Sequence, residues 1–132
     1  MDIKSIHDYF LKCNSVSIDT RKIEPGSMFV AIKGENFDAN TFTKEALEKG
    51  AKYVVIDNLN YQVDGKTLLV EDTLVALQKL ANHHRKQLKI PVLGITGTNG
   101  KTTVSTLCHQ IFQSAGQETG LIGTVETRIG NE

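Results

Sequence analysis

Residues 94–103 read GITGTNGKTT, and the reading of this stretch decides how the rest of the chain is understood. It follows an apolar run, Ile90 to Thr96, that reads as a strand. It opens KTTVSTLCHQIFQSAG, in which Val104, Leu107, Cys108, Ile111 and Phe112 share one helical face. Strand, glycine-rich loop and helix in that order form the setting of a phosphate-binding P-loop. Gly97 and Gly100 let the backbone curl so that its N–H groups converge on phosphate oxygens, and the helix start adds the positive end of its dipole. On this reading Gly97 to Gly100 cradle the phosphates of a nucleotide. Lys101 reaches the β and γ phosphates as the catalytic cation, and the Thr102 hydroxyl is a ligand of Mg²⁺. The strict pattern G-x-x-x-x-G-K-[ST] would place a glycine where Ile95 stands.

Downstream, Thr119 to Val125 (TGLIGTV) reads as one more strand, followed by a turn-like RIGNE. A two-stranded parallel fragment of this kind leaves apolar faces uncovered, so the chain is expected to be truncated. Upstream lies a small α/β unit. Ile3, Ile6, Phe10 and Leu11 mark a short amphipathic helix; Met28 to Ile32 is a buried strand between Pro25-Gly26 and Gly34; Thr43 to Lys49 is a helix with Gly50 at C′. Tyr53 to Ile56 and Thr67 to Val70 are further short strands. From Asp72, a residue suited to cap a helix, Leu74, Leu77, Leu80, Ala81, His84 and Leu88 continue one helical stripe up to Pro91. Strands alternating with helices predict a mainly parallel, covered sheet and an α/β fold. The helix end near Leu88 marks a boundary, with domains expected at 1–88 and 89–132.

The totals narrow the function classes. In 132 residues, fifteen Lys plus Arg balance fifteen Asp plus Glu, so no global field favours nucleic acid or an anionic membrane. An anionic ligand has to be held locally. Cys13 and Cys108 are far apart and read as free thiols. No stretch approaches the roughly 18 to 20 apolar residues of a membrane span, and the N-terminus carries no apolar signal region. A cytoplasmic monomer is expected.

A wider pattern now stands out. DTRKIEPGSMFVAIKGENFDANTF, then EALEKGAKYVVID, then ITGTNGKTT, resembles the Mur ligases, the ATP-dependent amide ligases that build the peptidoglycan stem peptide. The resemblance implies a small N-terminal UDP-binding α/β domain, holding a UDP-N-acetylmuramoyl-peptide, followed by the first β-P-loop-α-β unit of a central ATPase domain. It implies that Asp19, Thr20 and Arg21 form a turn against the uridine nucleotide, that Lys33, Gly34, Glu35, Asn36, Phe37 and Asp38 line its uracil and ribose side, and that Gly97, Thr98, Asn99, Gly100, Lys101, Thr102 and Thr103 bind ATP. Ala39 departs from the family's usual glycine. LQKLANHHRKQLKIPVLGITGTNGKTT looks like the D-alanyl-D-alanine-adding (MurF-like) ligases, and STLCHQIFQSAGQETGLIGTVETRIGNE like those adding the third, usually dibasic, amino acid (MurE-like). The balance favours the D-alanyl-D-alanine reading. The implied chemistry is phosphorylation of the muramoyl-peptide carboxylate by ATP and attack of the incoming amine on the acyl phosphate. The family's later lysine and metal-binding residues are expected beyond Glu132, leaving this chain by itself inactive. A non-catalytic UDP-sugar binding module and another kind of P-loop enzyme are the alternatives.

Plainer roles are assigned beside these. His83, His84 and Arg85 form a partly exposed helix end, with cationic groups near the negative end of the dipole. Arg21 also has Asp19 within reach as a surface ion pair. Phe29, Phe42, Tyr53 and Phe112 are expected in the core, and Glu126 in solvent.

Overall fold

The computed structural model describes residues 1–35 and 37–130. The chain divides into two compact units, Met1–Lys89 and Ile90–Glu132.

In the first unit four parallel strands lie side by side in sequence order: β1 (Val16–Ser17), β2 (Met28–Val30), β3 (Tyr53–Ile56) and β4 (Thr67–Leu69). Phe29 stands opposite Val54 and Val30 opposite Val55; Val55 in turn stands opposite Leu68. Side chains alternate between faces, yet both faces are covered, which is why MFV and YVVI are unbroken apolar runs. One face carries Met28, Val30, Val55 and Leu68 against Ile6 of α1 (Ile3–Phe10) and Ala76 and Leu80 of α3 (Thr73–Gln87). The other carries Phe29, Val54 and Ile56 against Ala39, Ala51 and Ala46, the last on α2 (Thr43–Glu48). Small alanines facing the large Phe29 ring let the layers interdigitate.

The helix ends follow their sequence signals. Asp72 caps α3 by accepting from the Val75 N–H at 2.8 Å, and Gly50 follows the end of α2 with φ +102°. The α3 stripe is a correction. Thr73, Ala76 and Leu80 are buried, whereas Leu74, Ala81 and Leu88 are exposed. The covered face is the one that meets α1 and the sheet, and it carries Thr73 and Ala76 together with Leu80 and the half-buried Leu77 of the expected stripe. Sequence reasoning assigned no strand between α1 and β2, yet Val16–Ser17 pairs with Met28–Phe29 at the sheet's edge.

In the second unit α4 (Lys101–Ser114) is followed by a hairpin of β5 (Gly120–Ile122) and β6 (Thr127–Ile129). Two expectations are corrected here. Ile90–Thr96 forms no strand among the described residues, since no strand there offers it a ladder. The expected turn RIGNE contributes Arg128 and Ile129 to β6, which pairs antiparallel with β5, Leu121 opposite Arg128. The last two residues of that expected turn, Asn131 and Glu132, lie outside the described residues. A four-residue connection with a Gly123 N–H to Glu126 carbonyl bond of 2.9 Å makes the reversal.

The apolar stripe of α4 is also exposed, with Ile111 at 65% and Phe112 at 48%, so Phe112 is not a core residue. Among the described residues of this unit, His109 and Leu121 are the buried ones. His109 Nδ1 meets the Thr119 hydroxyl at 2.8 Å, tying α4 to the start of the hairpin. No helix among the described residues is long and apolar enough to cross a membrane.

Candidate functional site

Two loops of the first unit leave the carboxyl ends of adjacent parallel strands, the place where open α/β sheets collect ligands. The first follows β1. Asp19 accepts from the Arg21 backbone N–H at 2.9 Å and opens a single 3-10 turn, Thr20–Lys22. The Arg21 guanidinium closes on the same carboxylate, Nε to Oδ1 at 3.0 Å and Nη2 to Oδ2 at 2.8 Å. Those bonds pull the Asp19 pKa down to about 2 and push that of Arg21 upward. The Arg21 side chain is 86% exposed, so its outer edge stays open to an anion. Lys49, just past α2, donates to the Thr20 carbonyl at 3.0 Å and fixes the turn from behind.

The second loop follows β2. Lys33 and Asp38 form an antiparallel bridge, and the Gly34 N–H donates to the Phe37 carbonyl at 2.7 Å. Lys33, Gly34 and Glu35 are exposed. Phe37, 57% exposed, stacks on Phe42 with centroids 5.5 Å apart and 22° between planes. An aromatic ring held flat by a second ring offers a stacking surface for a base. Asn36 lies outside the described residues.

Behind this loop sits a buried polar network that sequence reasoning missed. Asn40 is fully buried and donates from Nδ2 to Asp38 Oδ1 and to Asp57 Oδ1, each at 2.7 Å. Its Oδ1 accepts from the Asp57 N–H at 3.2 Å. Thr73, also buried, donates its hydroxyl to the Ala31 carbonyl at 2.9 Å and lies 3.3 Å from Asp57 Oδ2. In the sequence Asp57 reads only as the end of YVVI, and Thr73 only as the residue after a cap.

In the second unit Gly97 has φ +148° and Gly100 φ +78°, conformations that a side chain would strain. Gly100 is the N-cap of α4, and no side chain caps that end. Lys101 is folded back, its Nζ donating to the Gly97 carbonyl and lying 3.4 Å from that of Thr98. Its ammonium is therefore held against the loop's own carbonyls. Thr98, Asn99, Thr102 and Thr103 are exposed. Among the described residues no group of three or more His, Cys, Asp or Glu is arranged to hold a metal. Glu126, only partly exposed, pairs with Arg128 at 2.7 Å.

Residues 12–93 match the family described as "Mur ligase family, catalytic domain" and residues 95–132 match "Mur ligase middle domain". The chain belongs to the Mur ligase family. Among Mur ligase relatives, a UDP-N-acetylmuramoyl-L-alanyl-D-glutamate--2,6-diaminopimelate ligase of Phocaeicola vulgatus is 40% identical over 96% of this chain and 27% of its own length. The enzyme of the same name from Bacillus cereus is 37% identical over 98% of this chain and 28% of its own. The chain thus spans about a quarter of the length of the relatives it matches. The MurF ligase of Thermotoga maritima, solved in complex with ADP, superposes with a TM-score of 0.63 at 29% identity, covering 80% of this chain and 24% of that one. A solved UDP-N-acetylmuramoyl-L-alanyl-D-glutamate--2,6-diaminopimelate ligase gives 0.57 at 28% identity, covering 91% and 25%. The α/β architecture with its parallel sheet is the one these Mur ligases share.

Proposed function

We propose that this chain is the uridine-nucleotide-binding and ATP-loop portion of a cytoplasmic ATP-dependent ligase of peptidoglycan precursor synthesis. The observation that carries the reading is the presence, in one short chain, of strand-end turns suited to a nucleotide and of the Gly97–Gly100 loop with its folded-back Lys101. Asp19, Thr20 and Arg21 would hold the diphosphate side of a UDP-N-acetylmuramoyl-peptide, and Lys33, Gly34, Glu35, Asn36 and Phe37 its uracil and ribose. Gly97 to Thr103 would hold ATP. Thr102 would be this chain's contribution to Mg²⁺ binding through its hydroxyl.

A carboxylate is a poor acyl donor because its leaving group would be oxide. Transfer of the γ-phosphoryl of ATP to that carboxylate replaces oxide with phosphate, and the incoming amine then displaces phosphate to form the amide. Lys101 offsets charge gathering on the transferring phosphoryl, and Mg²⁺, when bound, does the same. The added group is best read as the third amino acid of the stem peptide, the diaminopimelate-type reaction named for the 37% to 40% identical relatives that match nearly all of this chain. The D-alanyl-D-alanine reading favoured on sequence motifs gives way to it. As a second reading, D-alanyl-D-alanine addition is favoured by the fold likeness to the Thermotoga MurF and to an Acinetobacter baumannii D-alanyl-D-alanyl ligase, TM-score 0.65 at 25% identity.

Calorimetric titration with UDP, with UDP-N-acetylmuramoyl-dipeptide and -tripeptide, and with Mg-ATP tests this, using Lys101→Ala as control. Binding of the uridine ligands that is unchanged in Lys101→Ala, with the dipeptide at least as tight as the tripeptide, is the expected result. Tight Lys101-dependent ATP binding with no uridine binding would overturn the ligase reading. Tighter binding of the tripeptide would favour the D-alanyl-D-alanine reaction.

A further inference from the structure

The loop from Ala31 to Asp38 is fastened at both ends by one buried hydrogen-bond chain. At its entry the Thr73 hydroxyl, from the first turn of α3, donates to the Ala31 carbonyl. At its exit Asn40 Nδ2 donates to Asp38 Oδ1, which also accepts the Asn40 backbone N–H at 2.9 Å. Asp57, just past β3, joins the two fastenings, taking Asn40 Nδ2 on Oδ1 and the Thr73 backbone N–H, 3.4 Å away, on Oδ2. Thr43 completes the arrangement by donating its hydroxyl to the Asn40 carbonyl at 2.7 Å. The Asn40 carboxamide thereby uses both N–H donors and its oxygen, with no solvent contact.

The chemistry of this site restricts which residue can stand there. Asp38 and Asp57 point carboxylate oxygens at one nitrogen, and two like charges converge only if donors lie between them. An amide supplies two donors and one acceptor without adding charge. A carboxylate at position 40 would add a third negative group, and an alanine would leave two carboxylates facing a void.

We propose that Asn40 is a positioning residue for the uridine-nucleotide site, holding the Lys33–Asp38 bridge and the Phe37 ring in the binding-competent arrangement; this rests on the function proposed above. Asn40 touches no ligand itself. Its effect is on preorganisation: a loop that is competent only about a tenth of the time binds about tenfold more weakly.

The probe is UDP, titrated calorimetrically against the full chain, Asn40→Ala, Thr73→Val and Thr73→Ser. A Phe37→Trp background adds a spectroscopic reading, since the chain has no tryptophan of its own. Asn40→Ala is expected to weaken UDP binding about tenfold or more and to shift the emission of the introduced indole to the red, while circular dichroism still reports a folded chain. Thr73→Val should weaken binding by a smaller factor, and Thr73→Ser, which keeps the hydroxyl, should restore it. Should Asn40→Ala fail to fold, the Thr73 pair carries the test. UDP binding within twofold of the parent in Asn40→Ala, or in Thr73→Val where the alanine variant does not fold, overturns the proposal. Weakened binding with unmoved emission, or without rescue by serine, also overturns it. If the parent chain binds no UDP, the proposed function falls. If the parent binds UDP and loses it in Arg21→Ala but not in Asn40→Ala, only the positioning role falls.

Discussion

Both units present glycine-containing loops at the surface, yet they hold them in opposite ways. In Met1–Lys89 the loops hang from a four-stranded sheet buried on both faces, and each is fastened by side chains from neighbouring elements, Lys49 on Thr20 and Asn40 on Asp38. In Ile90–Glu132 the Gly97–Gly100 loop opens a helix whose apolar stripe is exposed and whose buried partners are few, His109 and Leu121 among the described residues. The difference teaches that a loop's shape can be local while its rigidity is tertiary. The Gly97–Gly100 loop owes its form to two glycine φ angles and a helix start. The Ala31–Asp38 loop owes its form to residues up to 42 positions away.

The contrast can be broken first at Phe29. It has no solvent exposure and fills the centre of the α2 face, so Phe29→Ala should destabilise the first unit by about 3–5 kcal/mol, read by urea denaturation. The same truncation at Phe112 on α4 removes a ring already half in water and should change stability by no more than about 0.5 kcal/mol. A large loss at Phe112 would mean that the two units are not built as differently as described. A smaller effect than that of Phe29 is expected from Asp72→Ala, which removes the cap of α3 and should cost about 1 kcal/mol in the same assay.

The last and mildest effect follows pH. His7 is buried against His83 and His84, its Nε2 3.2 Å from His84 Nδ1. Burial first, and then the charges of those two histidines, lower its pKa from the ordinary 6.5, with Asp8 opposing. The folded chain therefore resists a proton that the unfolded chain accepts. The His7 contribution to stability should be flat above pH 6.5 and fall as pH drops below it, until the folded His7 itself titrates. Thermal melts of the parent and His7→Gln at about pH 7.5 and about pH 5.5, either side of the free imidazole's range, check this. The parent should lose more melting temperature than the variant, and equal losses would contradict it.

How far the sequence foretold all this depends on the range over which each signal acts. β2 and β3, the Asp72 cap and Gly50 were legible because strand runs and helix ends are written in neighbouring residues. The face of α3 was misread because Leu74 and Leu88 look more apolar than Thr73 and Ala76, and only the neighbouring α1 and sheet decide which side is covered. The antiparallel pairing of β5 with β6 was missed because GTVE carries no Asn-Gly or Asp-Gly signal. For the site, Asp19–Arg21 and Gly97–Thr103 stand out as motifs. Asn40, Asp57 and Thr73 do not, since their link is three-dimensional and each alone resembles an ordinary turn or helix-start residue.

The strand order β1-β2-β3-β4 also sets a schedule for synthesis on the ribosome. Each strand emerges beside one already made, so the sheet can lengthen at a single growing edge without holding a place open for a later strand. The α1 helix, translated before the sheet, meets its covering helix only after Thr73–Gln87 has left the exit tunnel. Nascent chains arrested at increasing lengths should accordingly show α1 gaining full protection from protease only once Thr73–Gln87 has emerged.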